Sequence, residues 1–414
     1  MSDPATRQAV DAVWRIESAR LIGGLVRLVR DVGLAEDLAQ EALVAALETW
    51  PATGIPDNAG AWLMATAKNR AHDQLRRRRM LARKHEEIEA DSPSWAAPPD
   101  LDGEDVGDDV LRLILIACHP VLSAEARTAL TLRLLGGLTT DEIARAFLVP
   151  EPTIAQRIVR AKRTLAEAKV PFEVPRGDDL SARLPSVLEV IYLVFNEGYA
   201  ATRGDDWMRT ELCDDALRLG RILAGLVPGE AEVHGLVALM EIQASRSRAR
   251  TTPTGEPILL LDQDRAKWDR LLIERGLSAL ARSESLARPL GPYALQAAIA
   301  ACHARARAGD ETDWKRIVAL YDALVEITRS PVVELNRAVA VSMAFGPAEG
   351  LEIVDALAGE PALTSYHLLP SVRGDLLTKL GRRREARIEF ERAASLAENA
   401  RERDLLIARA RACN

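Results

Sequence analysis

Apolar residues recur at helical spacing through most of the chain, and nowhere do apolar and polar positions alternate long enough to support a sheet. From Leu34 to Trp50, a period of 100° per residue gathers Leu38, Ala39, Ala42, Leu43, Ala46 and Trp50 on one broad face. Asp37, Glu41 and Glu48 fall within about 40° of one another on the opposite face. The stretch from Pro56 to Met80 predicts a second helix, capped by Asp57 or Asn58. Its buried side is Leu63, Met64, Ala67, Ala71 and Leu75. Trp62, Thr66, Asn69, Asp73, Arg76 and Arg77 form an exposed stripe, with Arg70 on its flank. From Leu138 to Leu165 the pattern breaks once, at Leu148 to Pro150. Thr139 or Thr140 caps a helix through Ile143, Ala144 and Phe147, and a second helix starts near Glu151 and Pro152, where proline suits the first turn. This second helix buries Ile154, Ile158, Ala161 and Leu165 and turns Thr153, Gln156, Arg157, Arg160 and Thr164 outward together.

The fold class expected is therefore all-α, in four segments. Residues 1–85 form a helical block. Residues 86–108 are acidic, contain Pro93, Pro98, Pro99 and Gly103, and read as a flexible linker. Residues 109–170 form a second, small helical block, and residues 171–414 a large third one.

Composition supports helix: Ala, Leu, Arg and Glu dominate, and β-branched residues are sparse. No apolar run is long enough to span a membrane and the N-terminus has no signal-peptide core, so the expected location is cytoplasmic, with no membrane partner. Cys118, Cys213, Cys302 and Cys413 include no CxxC pair. Two precede histidines, at His119 and His303, but a metal site there would need distant segments to meet, and buried thiols are the better reading. No metal and no cofactor is expected. The net charge of −7 hides two opposed blocks. Lys68, Arg70, Arg76, Arg77, Arg78, Arg79, Arg83 and Lys84 face a single acid, Asp73, and from Glu86 to Asp109 the charge is purely acidic.

An acidic helix face alone is usually a solvated surface, and a single tryptophan beside a basic tail is often core. The whole stripe from Trp62 to Arg77 says more: tryptophan stacks on unpaired bases, asparagine reads base edges and arginine pairs with phosphate. The strings AEDLAQEAL, P-x-N-x-x-x-W-L and NRAHDQLRRRR over residues 15–80 resemble region 2 of bacterial sigma factors of the extracytoplasmic-function (ECF) group. That resemblance implies that Asp37, Gln40 and Glu41 meet the β′ clamp helices of core RNA polymerase. It also implies that Asn58, Trp62, Asn69, Arg70, Asp73, Arg76 and Arg77 lie at the minus-ten DNA, where flipped bases are captured.

The two-helix unit at 138–165 resembles region 4 of the same proteins. Region 4 binds the minus-thirty-five element, here through Thr153, Gln156, Arg157, Arg160 and Arg163, and adds the β flap as a polymerase contact. The turn departs from the common pattern. Leu148 and Pro152 stand where glycine is frequent and Pro150 where a capping serine is, so a non-glycine residue is expected to be pushed toward positive φ. The acidic linker resembles the connector that threads the polymerase cleft.

Compact ECF sigma factors end soon after region 4. In the third block, Gly374, Gly381, Ala386, Phe390 and Ala393 have the spacing of a tetratricopeptide repeat, with weaker echoes at Asn336 to Leu357 and Glu211 to Met240. A helical-repeat domain is expected, regulatory in role, with a protein or peptide as its candidate partner. Within it, IYLVFNEGY (191–199) and ILLLDQDRAKW (258–268) invite a pocket. Ion pairs and caps are the favoured reading of their Glu197, Asp262, Asp264 and Arg265. Two other functions compete: a two-module regulator that binds duplex DNA without polymerase, and an enzyme in the third block. No phosphate loop, nucleophile motif or metal signature supports the enzyme.

Overall fold

The computed structural model describes residues 4–86, 106–147, 149–168, 170–175, 177–201, 207–286 and 289–413. Among these the regular structure is helical, and a bridge between Thr251 and Pro257 is the one β feature. The chain divides into two compact units, Met1–Val190 and Ile191–Asn414.

The first unit holds α1 (Pro4–Val29), α2 (Val32–Thr53), α3 (Ala59–Glu86), α4 (Val106–Ala117), α5 (Ala124–Leu134), α6 (Thr140–Phe147), α7 (Glu151–Glu167) and the start of α8 (Asp178–Tyr199). Helices α1, α2 and α3 pack on one another through Leu21, Ile22, Leu25, Leu38, Leu63 and Ala67, all buried. A smaller group, α5 to α7, closes around Leu130, Leu132, Ile143, Ile154 and Ile158. Helix α1 also packs against α4. A Cβ on Gly23 would lie 2.7 Å from the Asp109 carbonyl oxygen, so glycine is what allows this approach.

Side-chain caps set the helix starts. Asp31 accepts from the Leu34 amide at 3.0 Å, and Asn58 accepts from the Ala61 amide at 2.9 Å. Thr139 and Glu142 form a reciprocal box: the Thr139 hydroxyl accepts from the Glu142 amide (3.1 Å) and the Glu142 carboxylate from the Thr139 amide (2.7 Å). Each cap contributes about 1 kcal/mol.

The division between units falls inside α8, at Val190, rather than at residue 171 where the prolines suggested it. Ser186 donates to the Cys118 carbonyl at 2.6 Å, Glu189 pairs with Arg127 at 3.0 Å, and Leu184, Val187 and Leu188 are buried. The first turns of α8 are thus part of the first unit.

The second unit continues with α9 (Thr210–Leu226), α10 (Ala231–Ala244), α11 (Arg270–Leu286), α12 (Pro292–Arg305), α13 (Trp314–Thr328), α14 (Pro331–Ala344), α15 (Pro347–Ala356), α16 (Leu368–Lys379), α17 (Arg383–Leu396) and α18 (Ala400–Ala412). From α12 to α18 each helix packs on its neighbour in sequence, the arrangement of stacked helical repeats. The repeat spacing has a visible cause in α16 and α17. A Cβ on Gly374 would meet the Phe390 ring at 2.9 Å, and Ala386, Phe390 and Ala393 are buried. Gly381 turns the chain between the two helices with φ of +75°. The four cysteines are buried free thiols. Burial pushes the Cys118 thiol up to about 11 and Cys213 up to about 12.

Candidate nucleic-acid interface

Helix α2 buries Leu38, Ala39, Ala42, Ala46 and Trp50, as its periodicity predicted, while Leu43 is half-buried. Asp37 and Glu41 are exposed and Gln40 is half-buried beside them. On α3, Leu63, Ala67 and Ala71 are buried, and Asn69, Asp73, Arg76 and Arg77 are exposed along one side. The Asn58 side-chain oxygen is committed to the cap. Trp62 is half-buried, its ring edge-on to buried Trp50 with centroids 5.4 Å apart, so one side packs on the core while the other is open. Arg70 pairs with Glu41 at 2.8 Å. This joins the two predicted surfaces, though an ion pair this exposed contributes little to stability, at most about 1 kcal/mol. The side chains of Arg78, Arg79, Arg83 and Lys84, and residues 87–105 of the acidic linker, lie outside the described residues.

Helix α7 buries Ile154, Ile158, Ala161 and Leu165, the predicted face. Gln156, Arg160 and Arg163 are exposed, and Thr153 and Arg157 half-buried. Arg163 pairs with Glu167 at 2.6 Å. Pro150 offers α7 no side-chain cap, and Pro152 sits in the first turn. The strain expected in the turn is absent from Val149 and Pro150. Pro150 has φ of −57°, and the positive-φ non-glycine residues among those described are Arg30 and Arg329. Leu148 lies outside the described residues.

The periodicity gave no hint of how the two helical groups of the first unit meet. Glu36, buried to 4% exposure, accepts from Arg133 of α5 at 2.6 Å and pairs with Lys162 of α7 at 2.5 Å. The helix just ahead of the helix-turn-helix and its second helix are therefore both tied to α2 through one carboxylate. Arg15 of α1 pairs with Glu142 of α6 at 3.1 Å. Burial works against the Glu142 charge, but its bonds to the Thr139 amide and hydroxyl and the nearby Arg15 outweigh it and hold the carboxyl below the usual range. Buried Asp109 pairs with Arg27 of α1 at 3.4 Å and with Arg112. A cavity of about 410 Å³ remains beside this contact, lined by Asp31, Val32, Lys162, Leu165 and Phe172, so the fit is incomplete. One signal for Glu36 was available: it directly follows buried Ala35 and lies three residues before buried Ala39, on the flank of the apolar stripe.

Comparison with known proteins agrees with this anatomy. Residues 16–80 match the family model for Sigma-70 region 2, residues 112–165 that for Sigma-70, region 4, and residues 183–284 a family of unknown function, DUF6596. An uncharacterized protein of Rhizobium meliloti is 46% identical over 384 residues, covering 92% of this chain and 90% of that protein. A probable ECF RNA polymerase sigma factor, SigI of Mycobacterium tuberculosis, is 29% identical over 167 residues, 40% of this chain and 57% of its own length. The ECF RNA polymerase sigma factor SigK of Mycobacterium ulcerans is 28% identical over 150 residues, 35% of this chain and 78% of its own. Region 2 on α1 to α3 and region 4 on α4 to α7, followed by a helical extension that contains the DUF6596 segment, identify the chain as a member of the ECF-type sigma factors, which act with core RNA polymerase on promoter DNA in transcription initiation.

Proposed function

We propose that the chain meets the β′ clamp helices through Asp37, Gln40 and Glu41, captures minus-ten bases along α3, and reads the minus-thirty-five element with α7, next to the β flap. On α3 the base-capturing role falls to Trp62 and Asn69, with Arg70, Asp73, Arg76 and Arg77 along the backbone and Asn58 at the helix start. On α7 Thr153 and Gln156 face base edges, and Arg157, Arg160 and Arg163 face phosphates. The polymerase supplies the chemistry, and this chain supplies promoter choice and strand separation.

The observation that carries the reading further is the carboxylate of Glu36 held between Arg133 and Lys162. The two promoter elements are about 25 base pairs apart by name, about 85 Å along a duplex at 3.4 Å per pair. A compact unit of this length has a radius of gyration of about 16 Å, so it is about 40 Å across. Joined through Glu36, α3 and α7 cannot reach both elements of a straight promoter. The joined arrangement is the resting state, and binding to polymerase separates the modules.

Dyes on Glu48→Cys and Ala168→Cys, both exposed positions, test this by energy transfer. The distance is expected to lengthen when core polymerase is added. An unchanged distance in a complex that forms would refute the opening. The helical extension has a regulatory role in this reading, acting at high effective concentration on the sigma modules or polymerase, or through a protein or peptide partner.

A further inference from the structure

The described residues treat buried charges unequally. Every buried carboxylate has a cation: Glu36 has Arg133 and Lys162, Asp109 has Arg27 and Arg112, Asp215 has Arg218, and Glu241 has Arg221. The two buried arginines, Arg246 (8% exposed) and Arg250 (7%), have no carboxylate within ion-pair distance, and they stand side by side in the second unit. Taking a guanidinium out of water without an anion is unfavourable, and proteins seldom leave it so.

The surroundings are aromatic and rich in donors. The Arg250 guanidinium lies 3.5 Å from the centre of the Tyr199 ring and donates to the Tyr199 carbonyl. Arg246 lies between Tyr199 (5.8 Å) and Trp268 (5.9 Å), near the outer limit of a cation–π contact. Arg265 is on the Trp268 ring at 4.8 Å and donates to the carbonyls of His303 (2.5 Å) and Ala306 (2.8 Å). The acids that favour the Arg265 charge, Glu311 and Asp310, act from beyond ion-pair range. Three buried nitrogens of this patch have no partner: Arg246 Nε, Trp268 Nε1 and His303 Nδ1. Burial first, and then the nearby Arg246 and Arg265, push the His303 imidazole down to about 4.

Tyr199 closes one of the two segments whose mixed polarity suggested a pocket, and Arg265 and Trp268 close the other. Of the acids of those segments, Glu197 pairs with Arg209, Asp264 caps the turn at Ala266, and Asp262 is exposed. Arg246 and Arg250 have no ion-pair partner among the described residues.

We propose that Arg246, Arg250, Arg265, Trp268 and His303 form a binding site for a small-molecule oxyanion, a phosphate- or carboxylate-bearing compound seated on Arg246. Two or three oxygens of such a group would take the N–H donors of Arg246 and Trp268 and neutralise the field at His303. The site is formed within the extension and does not depend on the surfaces assigned to DNA and polymerase.

The test uses the full chain at constant ionic strength held with potassium chloride. Potassium phosphate and potassium succinate are titrated separately, with tryptophan fluorescence and melting temperature as readouts. A saturable response with a millimolar or tighter Kd to one of them is expected, and which one responds separates phosphate from carboxylate. Arg246→Gln is expected to weaken it by about tenfold or more, the loss of one charge-assisted hydrogen bond. Arg248→Gln, at an exposed position two residues away, is expected to bind as the parent does. Trp268→Phe keeps the aromatic ring and removes only the N–H donor. It is expected to weaken binding several-fold, and it serves should Arg246→Gln fail to fold. No saturable response to either anion up to tens of millimolar would overturn the proposal, as would full affinity in a folded Arg246→Gln or Trp268→Phe variant.

Discussion

Glu36→Gln removes one negative charge from the contact between region 2 and region 4 and preserves the side-chain shape. Glu36 accepts one charge-assisted hydrogen bond, from Arg133 at 2.6 Å, contributing about 1.5–3 kcal/mol, and forms an ion pair with Lys162 at 2.5 Å. Breaking a fully buried pair costs about 3–5 kcal/mol. Here the partners soften the loss. The side chains of Arg133 and Lys162 keep 19% and 21% exposure, and Arg133 also donates to the Leu138 carbonyl at 3.1 Å. About 3 kcal/mol is therefore the working figure, equivalent to a shift of about 100-fold in the ratio of joined to separated modules. The ion pairs of Arg15 with Glu142 and of Arg27 with Asp109 remain and keep the joined form populated. Two assays report on this: energy transfer between dyes on α2 and α7 in the free protein, and titration against core polymerase. The variant is expected to show a larger separated fraction, a lower melting temperature of the first unit, and an affinity for core raised by up to about two orders of magnitude, because less of the binding free energy goes into opening. Unchanged dye distances together with unchanged or weakened core affinity would refute the reasoning.

Four further outcomes are expected. Asp37→Lys combined with Glu41→Lys should abolish co-purification with core polymerase while the melting temperature moves little, since exposed changes usually stay within about 0.5 kcal/mol and the Arg70–Glu41 pair that is lost contributes at most about 1 kcal/mol. Trp62→Ala should reduce permanganate reactivity of the melted promoter more than it reduces closed-complex gel shifts; it also loses the Trp50 edge contact, so a stability cost of about 1 kcal/mol accompanies it, and equal losses in both assays would make Trp62 purely a core residue. Arg157→Ala and Arg160→Ala should weaken binding to the upstream element, with a flatter salt dependence if the contact is to phosphate and relaxed specificity at one position if it is to a base, as read from a promoter-variant panel. Gly374→Val should destabilise the second unit by about 1–3 kcal/mol in calorimetry, because the new side chain has to displace the Phe390 ring.

The helices and their faces were legible because region 2, region 4 and the last repeat each follow one uninterrupted period. The buried sets of α2 and α7 are nearly those that periodicity selects, and Thr139 caps α6 as its type suggests. What escaped were relations between segments distant in sequence. Glu36 sits beside Asp37 in a string that reads as a solvated acidic face, yet one of the two is buried and the other exposed. Glu36 flanks the apolar stripe, and its meeting with Arg133, 97 residues on, and with Lys162 is what the buried carboxylate needs. The unit boundary escaped for a similar reason: prolines near residue 171 mark a break in local structure, whereas Ser186 and Glu189 bond back to the first unit. The arginine cluster of the second unit escaped because its members come from three separate segments, and the acids Glu197 and Asp264 near them in sequence are locally satisfied.

A sigma factor works with core polymerase and not alone. Run-off transcription with purified core RNA polymerase and promoter DNA selected by the holoenzyme distinguishes the two cases. A discrete transcript that requires both core and this protein is expected, with co-migration of the two in gel filtration. Binding of the free protein to the same duplex at equal affinity, with no complex with core and no transcript, would contradict it and leave a regulator that acts without polymerase.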